Sequence, residues 1–386
     1  MIEISNKNKP LEIYVHIPFC VRKCNYCDFL SMPCNEETKD AYMEALCTEI
    51  AGKASRYADF EVVSIFIGGG TPSTVKPMHI KRLMGVIHEN YKVCKEAEIT
   101  IEVNPGTVNQ EALMTYREAG INRLSIGLQT ANEAERLRLG RIHSYDDFLK
   151  AYFSAREVGF SNINVDVMSA IPGQTLESYL ETLKKLVSLD PAPEHISAYS
   201  LIVEEGTPFY EEEENGTLDV PDEDTERRMY EMTKEVLLRY GYHRYEISNY
   251  AKDGYECRHN KGYWERTDYV GFGIGSASLI GTLRFANREE LDDYIEAPLS
   301  REVVESKLTK EEEMSEFMFL GLRLSEGISV ERFRELFARN LSDVFGPAIR
   351  KHIGQELLEE TEGRIRLTDK GMDVANYVMA DFLLGE

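Results

Sequence analysis

No stretch of this sequence approaches the roughly 18 consecutive apolar residues that a bilayer-spanning helix requires. The first residues, Met1 to Pro10, are polar and lack the apolar core of a secretory signal, so a soluble cytoplasmic protein is expected. Basic charge is scarce: 44 Lys and Arg against 67 Asp and Glu leave a net charge of −23. Phosphate backbones are bound by basic surfaces, so this balance argues against a nucleic-acid partner, and the acidity serves solubility. Cysteines number only seven, an odd count, which speaks against a disulfide framework and for metal binding or chemistry in a reducing compartment. There is no internal repeat and no low-complexity linker. The one acidic run, Glu211–Glu214, reads as a solvated loop, because like charges repel and stay wet.

What is present is enough for a large core: 386 residues, 42% hydrophobic and 29% charged. That length exceeds one ordinary domain of about 100–200 residues. Short β-branched runs at Ile13–Ile17, Val62–Ile67, Ile99–Val103, Arg123–Leu128, Asn162–Met168 and His195–Leu201 read as strands. Between them lie amphipathic helical patterns at Thr38–Gly52, Met78–Asn90, Asn109–Ala119, Tyr145–Val158 and Leu176–Leu189. Strands alternating with helices imply a parallel sheet of βαβ units. Six units are too few for a closed eight-stranded barrel. The expected fold class is therefore α/β, a partial (β/α)6 TIM-like barrel over residues 1–240. Residues 241–305, rich in Tyr, Gly and Asn, show little periodicity and read as a connecting segment. Residues 306–386 carry a helix at Lys310–Leu324, a strand at Arg364–Leu367 and a last helix at Lys370–Leu384, the pattern of a smaller winged-helix-like domain.

In parallel α/β sheets, ligands gather at the C-terminal strand ends. The first such end carries Cys20, Cys24 and Cys27 at spacing C-x3-C-x2-C. Thiolates suit iron–sulfur or zinc centres. Three on one loop can hold three irons of a [4Fe–4S] cube and leave the fourth open to a small molecule. The alternative is a zinc site completed by Cys34. Cys47 and Cys94 fall in helical patterns and read as packed thiols. Gly68-Gly69-Gly70-Thr71, Glu102 with Asn104, and Gln129 follow the second, third and fourth strands, and Asp166 is a polar residue inside the apolar fifth, where burial without a partner is costly. His259, in Arg258-His-Asn-Lys-Gly-Tyr263-Trp264, reads by itself as an ordinary loop histidine; beside aromatics it is also a candidate axial heme ligand, and Cys257 is close to it.

The cysteine loop after the first strand resembles that of radical S-adenosylmethionine (SAM) proteins. The wider stretch from Tyr14 to Cys27 is similar to the oxygen-independent coproporphyrinogen III oxidase-like family, over nearly the whole chain. The resemblance implies a cluster whose open iron binds SAM by its amino and carboxylate groups. It also implies SAM contacts from Tyr14, Gly69, Gly70, Thr71, Glu102 (to the ribose hydroxyls), Gln129, Arg141 (a fork on the carboxylate) and Asp166, with His143 near the site and His16 structural. The pattern His-Asn-x-x-Tyr-Trp resembles a signature of the heme chaperones in this family, which raises His259 as the heme ligand.

Two functions follow as expectations: a heme chaperone passing heme to acceptor hemoproteins such as those of the respiratory chain, or an oxidase decarboxylating coproporphyrinogen III. In the oxidases a fourth cysteine follows the third after one residue, whereas here Asp28 and Phe29 follow Cys27, and the oxidases carry a longer segment before the cluster. The chaperone is expected, and with it no oxidase turnover. A DNA-binding regulator is disfavoured by the acidity. Homodimerisation, peripheral membrane contact and covalent heme attachment stay open.

Overall fold

The computed structural model describes residues 9–384. The first half runs β1 (Lys9–Ile17), α1 (Glu36–Lys53), β2 (Phe60–Gly69), α2 (Pro77–Asn90), β3 (Val93–Val103), α3 (Gln110–Glu118), β4 (Arg123–Gln129), α4 (Glu133–Arg138), α5 (Tyr145–Glu157), β5 (Ile163–Ser169), α6 (Leu176–Val187) and β6 (His195–Ser200). These six strands pair in parallel and in sequence order, forming the open barrel expected.

Successive side chains of a strand point to opposite faces. Ile13, Val15 and Ile17 of β1, Ile99, Ile101 and Val103 of β3, and Ile163, Val165 and Val167 of β5 are buried in one core with inward helix residues such as Leu46, Leu83 and Tyr152. Each such side chain contributes about 1.5–3 kcal/mol. The intervening residues are polar: Glu12, Tyr14 and His16; Glu98, Thr100 and Glu102; Asn164 and Asp166. They face the hollow of the barrel. Side-chain caps start the helices that follow the strand ends, among them Asn35, Asn109 and the Ser144–Asp147 capping box.

The chain continues through α7 (Pro208–Glu214), α8 (Glu223–Arg239), β7 (His243–Arg244), β8 (Asn249–Ala251), α9 (Arg258–Trp264), β9 (Tyr269–Phe272), β10 (Ala277–Ile280), β11 (Leu283–Asn287), α10 (Leu291–Glu296) and β12 (Glu302–Lys307). The acidic run Glu211–Glu214 is therefore the end of a short helix rather than a loop. Thr207 caps it, Pro208 opens it and Glu212 pairs with Arg138. The stretch after Tyr240 is woven into the main sheet. β9 adds in parallel beside β1 and leads to β10, β11 and β12, while β8 and β7 extend the opposite edge beyond β6. An open barrel leaves two strand edges to be covered. Strands of two to five residues show too few positions for a period to be read.

The C-terminal part comprises α11 (Lys310–Gly321), β13 (Ile328–Ser329), α12 (Val330–Phe337), α13 (Leu341–Gly354), β14 (Leu358–Thr361), β15 (Arg364–Leu367), α14 (Asp369–Asp373) and α15 (Ala375–Ala380). It has its own core, centred on Phe317, Phe333, Phe337 and Phe345, and its own three-stranded sheet. The single last helix expected at Lys370–Leu384 is instead two short helices, interrupted at Val374 with φ −125°. Cys47 is packed in α1 as expected, but Cys94 lies in strand β3, not in a helix. No helix among the described residues is long and apolar enough to cross a membrane.

Candidate functional site

Cys20, Cys24 and Cys27 lie on the loop between β1 and α1 and line one cavity of about 490 Å³ at the C-terminal strand ends. Backbone hydrogen bonds hold the loop: Cys20 N to Met32 O (3.0 Å), Met32 N to Pro18 O (2.7 Å) and Asn25 N to Leu139 O (2.9 Å). Thr71 Oγ1 lies 3.5 Å from Cys20 Sγ and accepts from Asn104 Nδ2 at 2.8 Å. Among the described residues no three His, Cys, Asp or Glu side chains close on a single metal ion. Thiolates that each take a different iron of a cube need not do so. Burial raises the Cys24 and Cys27 thiols above their ordinary range, and the Arg141 guanidinium opposes this at Cys24. Iron binding displaces those protons.

The glycine run sits against the loop. A Cβ on Gly70 would stand 2.9 Å from Phe19 O, and one on Gly69 (φ +113°) would stand 2.6 Å from the His16 ring. Only glycine allows this approach of β2 to the cluster loop. The donor set thus fits a cluster with a small molecule beside it: three thiols, a wall without side chains, and polar groups around them.

Those polar groups are the ones expected from sequence, with different partners in places. Glu102 lines the cavity, and its Oε2 accepts from Gly69 N at 3.2 Å; burial, then the nearby Asp166 charge, push its carboxyl group up to about 8. Asp166 already has partners, Asn164 Nδ2 at 2.7 Å and Ser125 Oγ at 3.4 Å, so its burial does not of itself call for a ligand. Arg141 is 7% exposed and donates to Asn104 Oδ1 at 2.9 Å and to Gly127 O, while also lining the cavity beside Cys24. Gln129 ends β4 in the left-handed region (φ 70°), and its Oε1 accepts from Tyr199 OH at 2.8 Å. Tyr199 was not singled out from the sequence. His143 lies with Arg141 and Cys24 around a small adjoining recess. Tyr14 is not on the cluster cavity itself but lines the two neighbouring chambers.

The first of these chambers, about 570 Å³, is bounded by Tyr14, His16, Phe29, Tyr263, Trp264 and Leu279, and meets the cluster cavity at Gly69 and Glu102. Trp264 Nε1 is buried there without a hydrogen-bond partner. The second, about 270 Å³, lies deeper in the barrel and includes Arg123, Asp166, His259 and Tyr263.

His259 differs from its expectation. It is on helix α9, not a loop, and only 1% exposed. Its Nδ1 bonds Ser64 Oγ (2.8 Å), its Nε2 bonds Tyr263 OH (3.0 Å), and its ring stacks on Phe66. Burial pushes its pKa down to about 3, so the imidazole is neutral. In this arrangement neither nitrogen is free to reach iron. Cys257 is likewise sealed at 0% exposure, with its thiol on Glu98 Oε1. Glu98 also accepts from the N–H groups of Arg258 and His259, tying the start of α9 to β3. Sequence reasoning missed Glu12, Ser64 and Glu98, although the polar alternation along β1 and β3 is a signal that could have found the two carboxylates.

Comparison with known proteins matches this geometry. Residues 14–186 match the Radical SAM superfamily and residues 308–374 the HemN C-terminal domain. The chain is 37% identical to the heme chaperone HemW of Bacillus subtilis, covering 96% of this chain and 98% of that protein. It is 35% identical to the heme chaperone HemW of Lactococcus lactis, covering 98% of each. The solved coproporphyrinogen III oxidase HemN of Escherichia coli, a radical SAM enzyme, superposes with a TM-score of 0.85 at 25% identity, covering 98% of this chain and 91% of that one. With that likeness running end to end, the chain belongs to the HemW family of radical SAM proteins.

Proposed function

We propose that this chain is a cytoplasmic heme chaperone: it takes heme as cargo and releases it to acceptor hemoproteins, with a [4Fe–4S] cluster on Cys20, Cys24 and Cys27 and SAM beside it. The observation that carries the reading is the aromatic chamber walled by Tyr263 and Trp264, which adjoins the cluster cavity. Its volume of about 570 Å³ lies within the range of ligand sites, about 300–1,000 Å³. An apolar, aromatic lining with few polar groups suits a flat macrocycle. When bound, the cluster supplies one-electron chemistry to SAM. Arg141, Glu102, Gly69 and Gly70, which line the cluster cavity or its rim, would hold that SAM: Arg141 would pair with its carboxylate, Glu102 would accept from its ribose hydroxyls, and the glycines would let it approach the backbone. Residues 1–240 with the added strands form the cofactor body, and residues 306–386 a separate unit against it.

The test is an anaerobic hemin titration of the native chain and of Ala277→Trp, at an exposed position on the chamber wall. Saturable binding near one heme per chain, lost in the variant while SAM binding persists, is the expected result. Absence of saturable binding by the native chain overturns the reading and moves coproporphyrinogen decarboxylation to first place.

A further inference from the structure

Alternation along β4 sends Leu124, Ile126 and Leu128 into the outer core and turns Arg123, Ser125 and Gly127 toward the hollow of the barrel. Arg123 is 2% exposed, lines the deeper chamber of about 270 Å³, and its Nε has no hydrogen-bond partner. Glu98 and Asp166 act on its charge through space, and no carboxylate among the described residues closes to an ion pair with it. Arg141, also buried, is by contrast engaged by Asn104 Oδ1 at 2.9 Å and by Gly127 O. A buried guanidinium without an acceptor is costly, and its planar fork fits a carboxylate. The chamber can take that charge. Burial pushes the Glu102 carboxyl group up to about 8, so it keeps its proton at neutral pH, and Asp166 is held by Asn164 and Ser125.

We propose that Arg123 anchors a propionate of the heme: the macrocycle lies in the aromatic chamber, and one carboxylate arm enters the deeper chamber past Tyr14 to meet the guanidinium. This rests on the heme-chaperone reading and names how its cargo is held. The deeper chamber shares Tyr14, Glu102 and Tyr263 with the aromatic chamber. It also meets the cluster cavity, at Glu102, Ser125 and Asp166 among others, so a SAM carboxylate is the rival source of the same chemistry. Register favours the aromatic side. Arg123 pairs with Thr100, Thr100 with Phe66 and Phe66 with Tyr14, which puts Arg123 in the row of the residue that borders the aromatic chamber. The cluster cysteines lie past the ends of these strands, and there Arg141, beside Cys24, already offers a cation to SAM. No bond is made or broken: the step is an ion pair between a guanidinium and a carboxylate, both released from water.

The test compares hemin with hemin dimethyl ester, whose arms carry no charge, in anaerobic visible titrations of the cluster-loaded chain in the same dilute detergent. The native chain is expected to bind hemin at least about tenfold more tightly than the ester, a difference of about 1.4 kcal/mol. Arg123→Met should weaken hemin by about that factor, leave the ester where it was, and leave SAM affinity unchanged. Equal binding of hemin and ester by the native chain overturns the proposal, and needs no variant. So does an Arg123→Met chain that weakens both ligands alike, which marks a structural role. So does one that loses SAM affinity while still preferring hemin, which assigns the guanidinium to SAM. Failure of the heme reading itself is distinct: the native chain then binds neither hemin nor its ester saturably.

Discussion

Glu102 and Gly69, on neighbouring strands, are joined by a hydrogen bond of 3.2 Å from the glycine N–H to the carboxyl Oε2, at the point where the cluster cavity meets the aromatic chamber. The bond ties Glu102, among the described residues the one ionisable group that borders both spaces, to the Gly69 backbone, which also lines both.

Burial and Asp166 raise the Glu102 carboxyl group to about 8. The unfolded chain releases that proton near about 4.3. Its contribution to stability is therefore present in full below the unfolded value and lost as pH rises through about 8. The cofactor-free protein should melt at progressively lower temperature from pH 5 to pH 9, and Glu102→Gln should flatten that slope by up to about 1.4 kcal/mol per pH unit. Thermal melts of both proteins across this range check it; identical slopes would refute it.

Gly69→Ala places a methyl group against the His16 ring on a backbone of φ +113°. The expected cost is about 1–3 kcal/mol, with a displaced cluster loop and reduced iron incorporation. Denaturant unfolding together with iron analysis reads both effects.

Cys24→Ala should lower iron from about four per chain to near none after anaerobic reconstitution, with loss of the thiolate-to-iron absorption. Cys34→Ala should leave both unchanged. Full iron and sulfide in the Cys24 variant would remove it from the ligand set, and loss in the Cys34 variant would add that residue.

Arg141→Met removes the guanidinium that satisfies Asn104 Oδ1 and Gly127 O and faces the cavity. SAM affinity should fall about 10- to 100-fold, since a charge-assisted, forked contact is lost. Arg141→Lys should not restore it, because an ammonium cannot reach two acceptors in that planar geometry. Calorimetric SAM titration of the cluster-loaded proteins decides; full recovery by lysine would contradict the fork.

Much of the molecule could be read along the chain. The first five parallel strands were legible because each buries a run of Ile, Val and Leu, and β6 by its place after the fifth βα unit, while the intervening helices bear apolar residues at period 3.6. The convergence of Cys20, Cys24 and Cys27 on one cavity was legible because all three lie on one loop, where spacing and position coincide. The acidic run misled because Thr207 and Pro208, which start a helix, outweigh the local repulsion of Glu211–Glu214. Asp166 looked unpaired because its partners, Ser125 and Asn164, include one from the preceding strand β4, 41 residues away.

The sequence by itself determined the α/β class, the open barrel and the grouping of three cysteines on one loop at a strand end, all of which depend on residues near one another in the chain. Tertiary structure decided what His259 does. Along the chain it stands beside aromatic residues and looks available; in the fold Ser64, 195 positions away, takes one nitrogen and Tyr263 the other. The same holds for Glu98, which caps a helix about 160 residues later. Hydrogen-bond partners separated by such distances are brought together only when the sheet curls, and a buried polar group is defined by those partners rather than by its neighbours in sequence.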